Sequence, residues 1–211
     1  MAGTITKLHT QKNSNSRVNV YLNGEFAFGL ALIHALWLKI GQDLDDDDIA
    51  RLKSADSLEM AMQRAVGFVA YRPRSVLEVK RRLKKAGADD EQIDAIVVRL
   101  KEAELLDDAT FSSEWVESRL RSRPRSKRMM AWELKAKGID GAAASVALAQ
   151  VDDDKTALEL ARKRWPRLLA SDLTPQERKR KLSDYLARNG YGYEVIQTVI
   201  REVSKTWIPS T

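Results

Sequence analysis

Apolar and polar residues alternate over Thr4–Thr10 and Val18–Leu22, whereas beyond Ser57 the apolar positions recur every three to four residues. The first spacing is that of half-buried strands, and the second that of helices with one face turned to a core. Asn23-Gly24 joins Val18–Leu22 to Glu25–Phe28 and is the residue pair best suited to a two-residue type I′ turn, so a three-stranded meander is expected. A helix near Leu30–Leu38 follows, and then a second whose start is well marked. Asp45 can cap it, Leu44 and Ile49 make a hydrophobic staple across the cap, and Asp46 to Asp48 lie where the helix dipole favours acids. The four-aspartate run therefore has a structural explanation.

From Ser57 onward the pattern predicts only helices, near 57–71, 76–86, 90–104, 108–122, 127–137, 141–150, 154–165, 175–189 and 193–207. Ser75 with Glu78 and Thr174 with Glu177 are spaced as capping boxes, and Asp89 with Gln92 has the same reciprocal arrangement. Gly87, Gly138 and Gly190 supply the left-handed residue that ends the middle helix of each unit.

These helices repeat. Arg72-Pro73-Arg74-Ser75, then Leu83 and Gly87, return as Arg123-Pro124-Arg125-Ser126, then Leu134 and Gly138, every position 51 residues on. A weaker third copy opens at Thr174-Pro175 and closes with Leu186 and Gly190. A fixed period on helical sequence marks stacked units that bury one another's apolar faces. The expected fold is mainly α: a small N-terminal β-meander with helices over 1–56, then three tandem three-helix repeats over 57–106, 107–151 and 152–211, elongated and curved.

Charge then narrows the partner. The 211 residues hold 36 Lys and Arg against 30 Asp and Glu, a net +6, yet residues 1–56 carry six basic and seven acidic side chains. The excess sits on the repeats and favours an acidic partner such as nucleic acid. The absence of cysteine excludes disulfides, thiolate zinc sites and a cysteine nucleophile. Leu30–Ile40 is broken by His34 and Lys39 and is too short to span a bilayer, and the first residues lack a basic stretch before an apolar run. A cytoplasmic protein without membrane contact is expected. His9 and His34 have no second ligand at metal spacing, the aspartate run lacks the alternating ligands of a calcium loop, and no glycine loop cradles phosphates. No catalytic residue, cofactor or metal is expected.

Leu105-Leu106-Asp107-Asp108, Phe111, Trp115 and Arg119, followed by Glu133-Leu134, Lys137-Gly138-Ile139, resemble the central motif of the RecX family of bacterial recombinase regulators. Thr6-Lys7-Leu8 and Val20 through Gly29 are similar to that family's opening meander. Two departures are Arg123-Pro124-Arg125-Ser126, where many members have a glycine-containing turn, and Ser112, where alanine is usual. The resemblance implies a non-enzymatic protein that binds RecA along the groove of its filament on DNA and restrains recombination, ATP hydrolysis and coprotease activity; a monomer with weak direct DNA binding of its own is expected. Leu106, Phe111 and Trp115 read as cap staple and core, so charged residues are the better contacts.

Arg119, Arg121, Arg123, Arg125, Lys127 and Arg128 place six cations in ten residues with no local acid, across a proline-broken junction. Such a run suits phosphates or an acidic groove. Arg72, Arg74, Lys80, Arg81, Arg82, Lys84 and Lys85 are the first repeat's counterpart, and Arg178 to Lys181 the third's, although several of each must face solvent on any amphipathic helix. Trp132 lies near the junction, where it either stacks on a base or, as its helical position favours, enters the core. A second reading takes the units as helix-turn-helix modules that read a duplex directly, but 127–137 offers mainly Lys and Arg rather than the mixed polar face such a helix needs.

Overall fold

The computed structural model describes residues 2–11 and 14–206. The elements run β1 (Gly3–Gln11), β2 (Ser14–Leu22), β3 (Glu25–Ala31), α1 (Leu32–Ala35), β4 (Asp43–Leu44), α2 (Asp46–Tyr71), α3 (Val76–Lys85), α4 (Asp90–Glu102), α5 (Asp108–Ser122), α6 (Lys127–Ala136), α7 (Gly141–Leu148), α8 (Asp153–Leu169), α9 (Pro175–Arg188) and α10 (Tyr193–Thr206). They gather into two compact units, Met1–Pro73 with Glu78–Leu106, and Arg74–Leu77 with Asp107–Thr211. The fold is mainly helical with a small N-terminal antiparallel sheet.

In the first unit the meander forms as expected, with Leu22 paired to Glu25 and both Asn23 and Gly24 at positive φ, as a type I′ turn requires. It gains a fourth strand that the pattern did not predict, because Asp43 and Leu44 pair with Thr4 and Gly3 to give the order β3-β2-β1-β4. Two residues are too few to show a period. β3 also runs on to Ala31, which shortens the first helix to four residues. Ile5, Val20, Leu22, Phe28 and Leu30 of the sheet bury against Leu44 and Ile49, the two staple residues.

Asp45 and Asp48 form the capping box at the head of α2, and Arg51 bonds Asp48. That helix then continues through Ser57 to Tyr71 as one element rather than ending before a new helix at 57. Its middle is held by Asp56, which accepts from Ala31 N at 2.6 Å and pairs with Arg17 at 2.9 Å, pinning the sheet to the helix. Asp89 caps α4 as expected, but Gln92 gives its amide to Ser57 Oγ, 3.3 Å away, instead of completing a box.

In the second unit Phe111, Val116, Met130, Leu134, Ile139, Ala147 and Leu148 make one core, and Leu160, Trp165, Leu168, Leu182, Leu186, Ile196 and Val199 another. α8 extends four residues past the end expected before Pro166. Proline removes one hydrogen bond there, while Trp165 and Leu168 remain buried and hold the helix. Thr174 and Glu177 close α9 with their expected capping box. The helix expected over 193–207 is seen to Thr206, and Trp207 lies outside the described residues.

The second unit also shows what the repeated motif does. Val76 N donates to Asp108 Oδ1 at 2.9 Å, and 51 residues on Lys127 N donates to Asp153 Oδ1 at 2.6 Å. In each case the first turn of a middle helix is closed by the aspartate that opens the first helix of the next repeat. Gly138 and Gly190 complete the joint. A Cβ on Gly138 would stand 2.8 Å from Leu77 Cβ, and one on Gly190 would stand 2.9 Å from Met129 Cβ and 2.5 Å from Ser126 Oγ. Gly87 shares their positive φ but meets nothing.

Candidate cationic site of the second unit

The proline-broken junction of Arg119 to Arg128 divides into two kinds of residue. Arg119 and Arg125 both turn to Glu133, against the expectation that no acid neutralises them. Arg119 Nε donates to Glu133 Oε2 at 2.7 Å, and Arg125 Nε lies 3.3 Å from Glu133 Oε1 in an ion pair without hydrogen-bond alignment. Glu133, its side chain only 13% exposed, also accepts from Trp115 Nε1 at 3.2 Å. Sequence spacing hid this acid because it lies on the next helix, across the turn.

Trp115 is half-buried rather than a full core residue. It stacks on Phe111 with ring centroids 5.8 Å apart, and its faces are approached by Arg119 at 4.3 Å and Lys137 at 4.9 Å. The indole thus joins the core to a cationic surface. Ser112, buried, donates back to Asp108 O within α5. Trp132 corrects the core assignment outright, being 67% exposed beside Arg128 and Met129 on α6.

Arg121, Arg123, Lys127 and Arg128 are exposed, and Arg128 Nη2 reaches Gly190 O at 3.4 Å. Arg123 and Arg125 line a cavity of about 400 Å³ with Pro124, Lys163, Arg164, Arg167 and Tyr185. Among the described residues no carboxylate lines it. Lys163, Arg164 and Arg167 were not recognised in the sequence, since nothing in their spacing shows that α8 faces the α5–α6 turn. Leu160, Lys163, Arg164 and Arg167 follow one face of that helix, and this stripe is the only signal they carried.

The first repeat's cations are differently placed. Arg72 pairs with Glu78 at 3.3 Å, Lys80 with Asp94 at 2.7 Å and Lys84 with Asp90 at 2.6 Å, Arg82 lies over the Phe68 ring, and Arg81 and Lys85 are exposed. Exposed pairs of this kind contribute at most about 1 kcal/mol and do not withdraw a lysine from a partner. Arg74 is half-buried at the head of α3. In the third repeat Arg178 reaches Ser171 O at 3.3 Å, while Lys179, Arg180 and Lys181 are exposed. Among the described residues no cluster of three or more His, Asp or Glu could hold a metal ion.

Successive stretches match the RecX N-terminal domain at 3–45 and the first, second and third RecX three-helix domains at 61–100, 107–148 and 152–200. The regulatory protein RecX of Bacillus licheniformis is 31% identical over 202 residues, spanning 94% of this chain and 76% of that protein, and that of Bacillus subtilis is 30% identical over 203 residues with the same coverage. The chain belongs to the RecX family. A crystal structure of a regulatory protein RecX, 25% identical, superposes with a TM-score of 0.72 over 94% of this chain and 98% of its own. RecX from Lactobacillus salivarius, 23% identical, shares the fold with a TM-score of 0.62 over 71% of this chain. The names of these relatives support a regulatory role for the chain. No helix among the described residues is long and apolar enough to cross a membrane.

Proposed function

We propose that this RecX protein binds RecA and its filament on DNA and restrains the filament's recombinase, ATPase and coprotease activities, as a cytoplasmic monomer with no catalytic centre of its own. The observation that carries this reading is the concentration of exposed cations in the second unit: Arg121, Arg123, Lys127 and Arg128 at the junction, with Lys163, Arg164 and Arg167 on α8. A filament on DNA offers negative charge along its length, and a row of basic repeats suits that geometry better than it suits a small substrate. In this reading the chain works as four parts, the cap over 1–56 and the repeats over 57–106, 107–151 and 152–211.

The direct test is RecA ATP turnover on single-stranded DNA as the protein is added to preassembled filaments. Turnover is expected to fall with added protein, and unchanged turnover at saturation would reject the reading. Direct binding of DNA through helix-turn-helix-like repeats is the second reading, and exposed Trp132 beside Arg128 favours it, since an aromatic ring next to an arginine is a stacking platform for an unpaired base.

A further inference from the structure

At one position the second repeat lacks an acid that the first repeat has, and a cation is released there. Arg72 is neutralised by Glu78, but 51 residues on the arginine is Arg123 and the position of the glutamate holds Met129. Arg123 instead lines the cavity of about 400 Å³ with Arg125, Lys163, Arg164 and Arg167. Five cations thus surround one concave space, and among the described residues no carboxylate lines it and only Arg125 of the five has an acid partner, Glu133, on its other side. The walls come from three packed elements: the α5–α6 turn, one face of α8 and the end of α9. Arg164 is set over the Tyr185 ring at 5.3 Å, and Asn189 Nδ2 donates to Tyr185 O at 2.8 Å.

Like charges held this close repel one another until an anion enters, and guanidinium forks pair with phosphate oxygens two bonds at a time. The space has the size of a phosphate-bearing ligand site but cannot admit a duplex, so a strand would enter through its backbone alone. We propose that this cavity is a phosphate site that anchors the backbone of a single nucleic-acid strand without regard to sequence. The inference names a nucleic-acid contact within the proposed filament-binding surface and rests on that reading only for its biological setting.

The test uses the full chain without recombinase. Wild type is compared with a variant carrying Arg123→Gln, Lys163→Gln and Arg167→Gln, and with a charge-matched control carrying Lys80→Gln, Arg81→Gln and Lys84→Gln. Arg125 is left in place because it serves Glu133. Binding of inorganic pyrophosphate is read by calorimetry, and binding of a fluorescent thymidine 20-mer by anisotropy across salt. The cavity variant is expected to lose pyrophosphate binding and to flatten the log-log salt dependence for the oligonucleotide by about 2, at roughly 0.7 per phosphate contact for three contacts. The control is expected to keep pyrophosphate binding and most of the slope.

Equal losses in the two variants would overturn the site, as would a cavity variant that binds both probes like wild type. Loss of pyrophosphate with unchanged oligonucleotide binding would overturn the strand assignment, and so would poly-glutamate binding as tightly as the oligonucleotide. If the triple variant melts early, Lys163→Gln and Arg167→Gln singly, both exposed on α8, give the same comparison at smaller amplitude. Inhibition of RecA turnover is measured in parallel. A cavity variant that loses the oligonucleotide but still inhibits separates this site from the filament reading.

Discussion

At the scale of single residues, Glu133 and Tyr191 decide more than their place in the sequence suggests. Glu133 holds Arg119, Arg125 and the Trp115 indole at one point. Glu133→Ala leaves two half-buried guanidinium groups without a counter-charge and is expected to cost about 2 to 3 kcal/mol in urea unfolding, below the range for a fully buried pair because both arginines keep some water. Glu133→Gln, which can still accept from Trp115, should cost less. Tyr191 is buried, and desolvation pushes its hydroxyl up to about 12; the Thr156 hydroxyl, directed to Asp152 O, offsets only part of this. A folded-state value above the ordinary one near 10 means that stability is intact below pH 10 and falls as pH rises toward 12, where the unfolded chain ionises and the folded one resists. The loss at pH 12, where the folded hydroxyl is itself half ionised, is expected to be about 2 kcal/mol, at 1.36 kcal/mol for each pH unit between the two values. Tyr191→Phe should abolish that alkaline loss in denaturant titrations at pH 9 and 12; an unchanged loss would assign it to other groups.

At the scale of elements, the repeated Arg-Pro-Arg-Ser turn is first a joint and only then a source of charge. The helix donors Val76 N and Lys127 N are satisfied by Asp108 and Asp153 of the following repeat, while the third repeat closes its own α9 with Thr174 and Glu177. Glycines in these joints should therefore differ in tolerance. Gly87→Ala carries only the left-handed backbone penalty, about 1 to 2 kcal/mol, whereas Gly138→Ala and Gly190→Ala add a clash with Leu77 or Met129 and should each cost roughly 1 to 3 kcal/mol more. Thermal melts of the three variants check the order, and equal costs would show that the joints yield freely. Much of this architecture was legible in the sequence, since strands, caps and helix ends are local and leave a period or a capping pair. What was not legible depended on partners distant in the chain. Two-residue β4 has no period of its own, Asp56 ties α2 to strands far upstream, and Glu133 is seen to neutralise the junction only once α5 and α6 pack. Trp132 misled because helical spacing cannot tell an inward face from an outward one when both carry aliphatic neighbours.

At the scale of the whole molecule, the question is whether its cations meet a filament or bare DNA. Arg121, Arg123 and Lys127 are exposed and free of the Glu133 cluster, so changing all three to Glu should leave the fold within about 0.5 kcal/mol for each position. Arg125 must be spared, because a carboxylate there would face Glu133 and unfold the site for a reason unrelated to binding. The reversal should weaken binding under either reading, since each sets these residues against negative charge; salt separates the two. If bare duplex is the target, wild-type affinity should fall with a log-log slope of about −0.9 for each phosphate neutralised, and no recombinase should be required. If the filament is the target, affinity for bare DNA should be weak at physiological salt, while binding to assembled RecA filaments persists there and RecA ATP turnover falls as protein is added. In that case the reversed protein, shown by its melting curve to be folded, should relieve the inhibition, with the half-inhibitory concentration rising at least tenfold for a loss of about 1.4 kcal/mol in binding. A folded reversed protein that inhibits like wild type would mean that these three cations are a solvated turn and that the filament is met by another face of the chain.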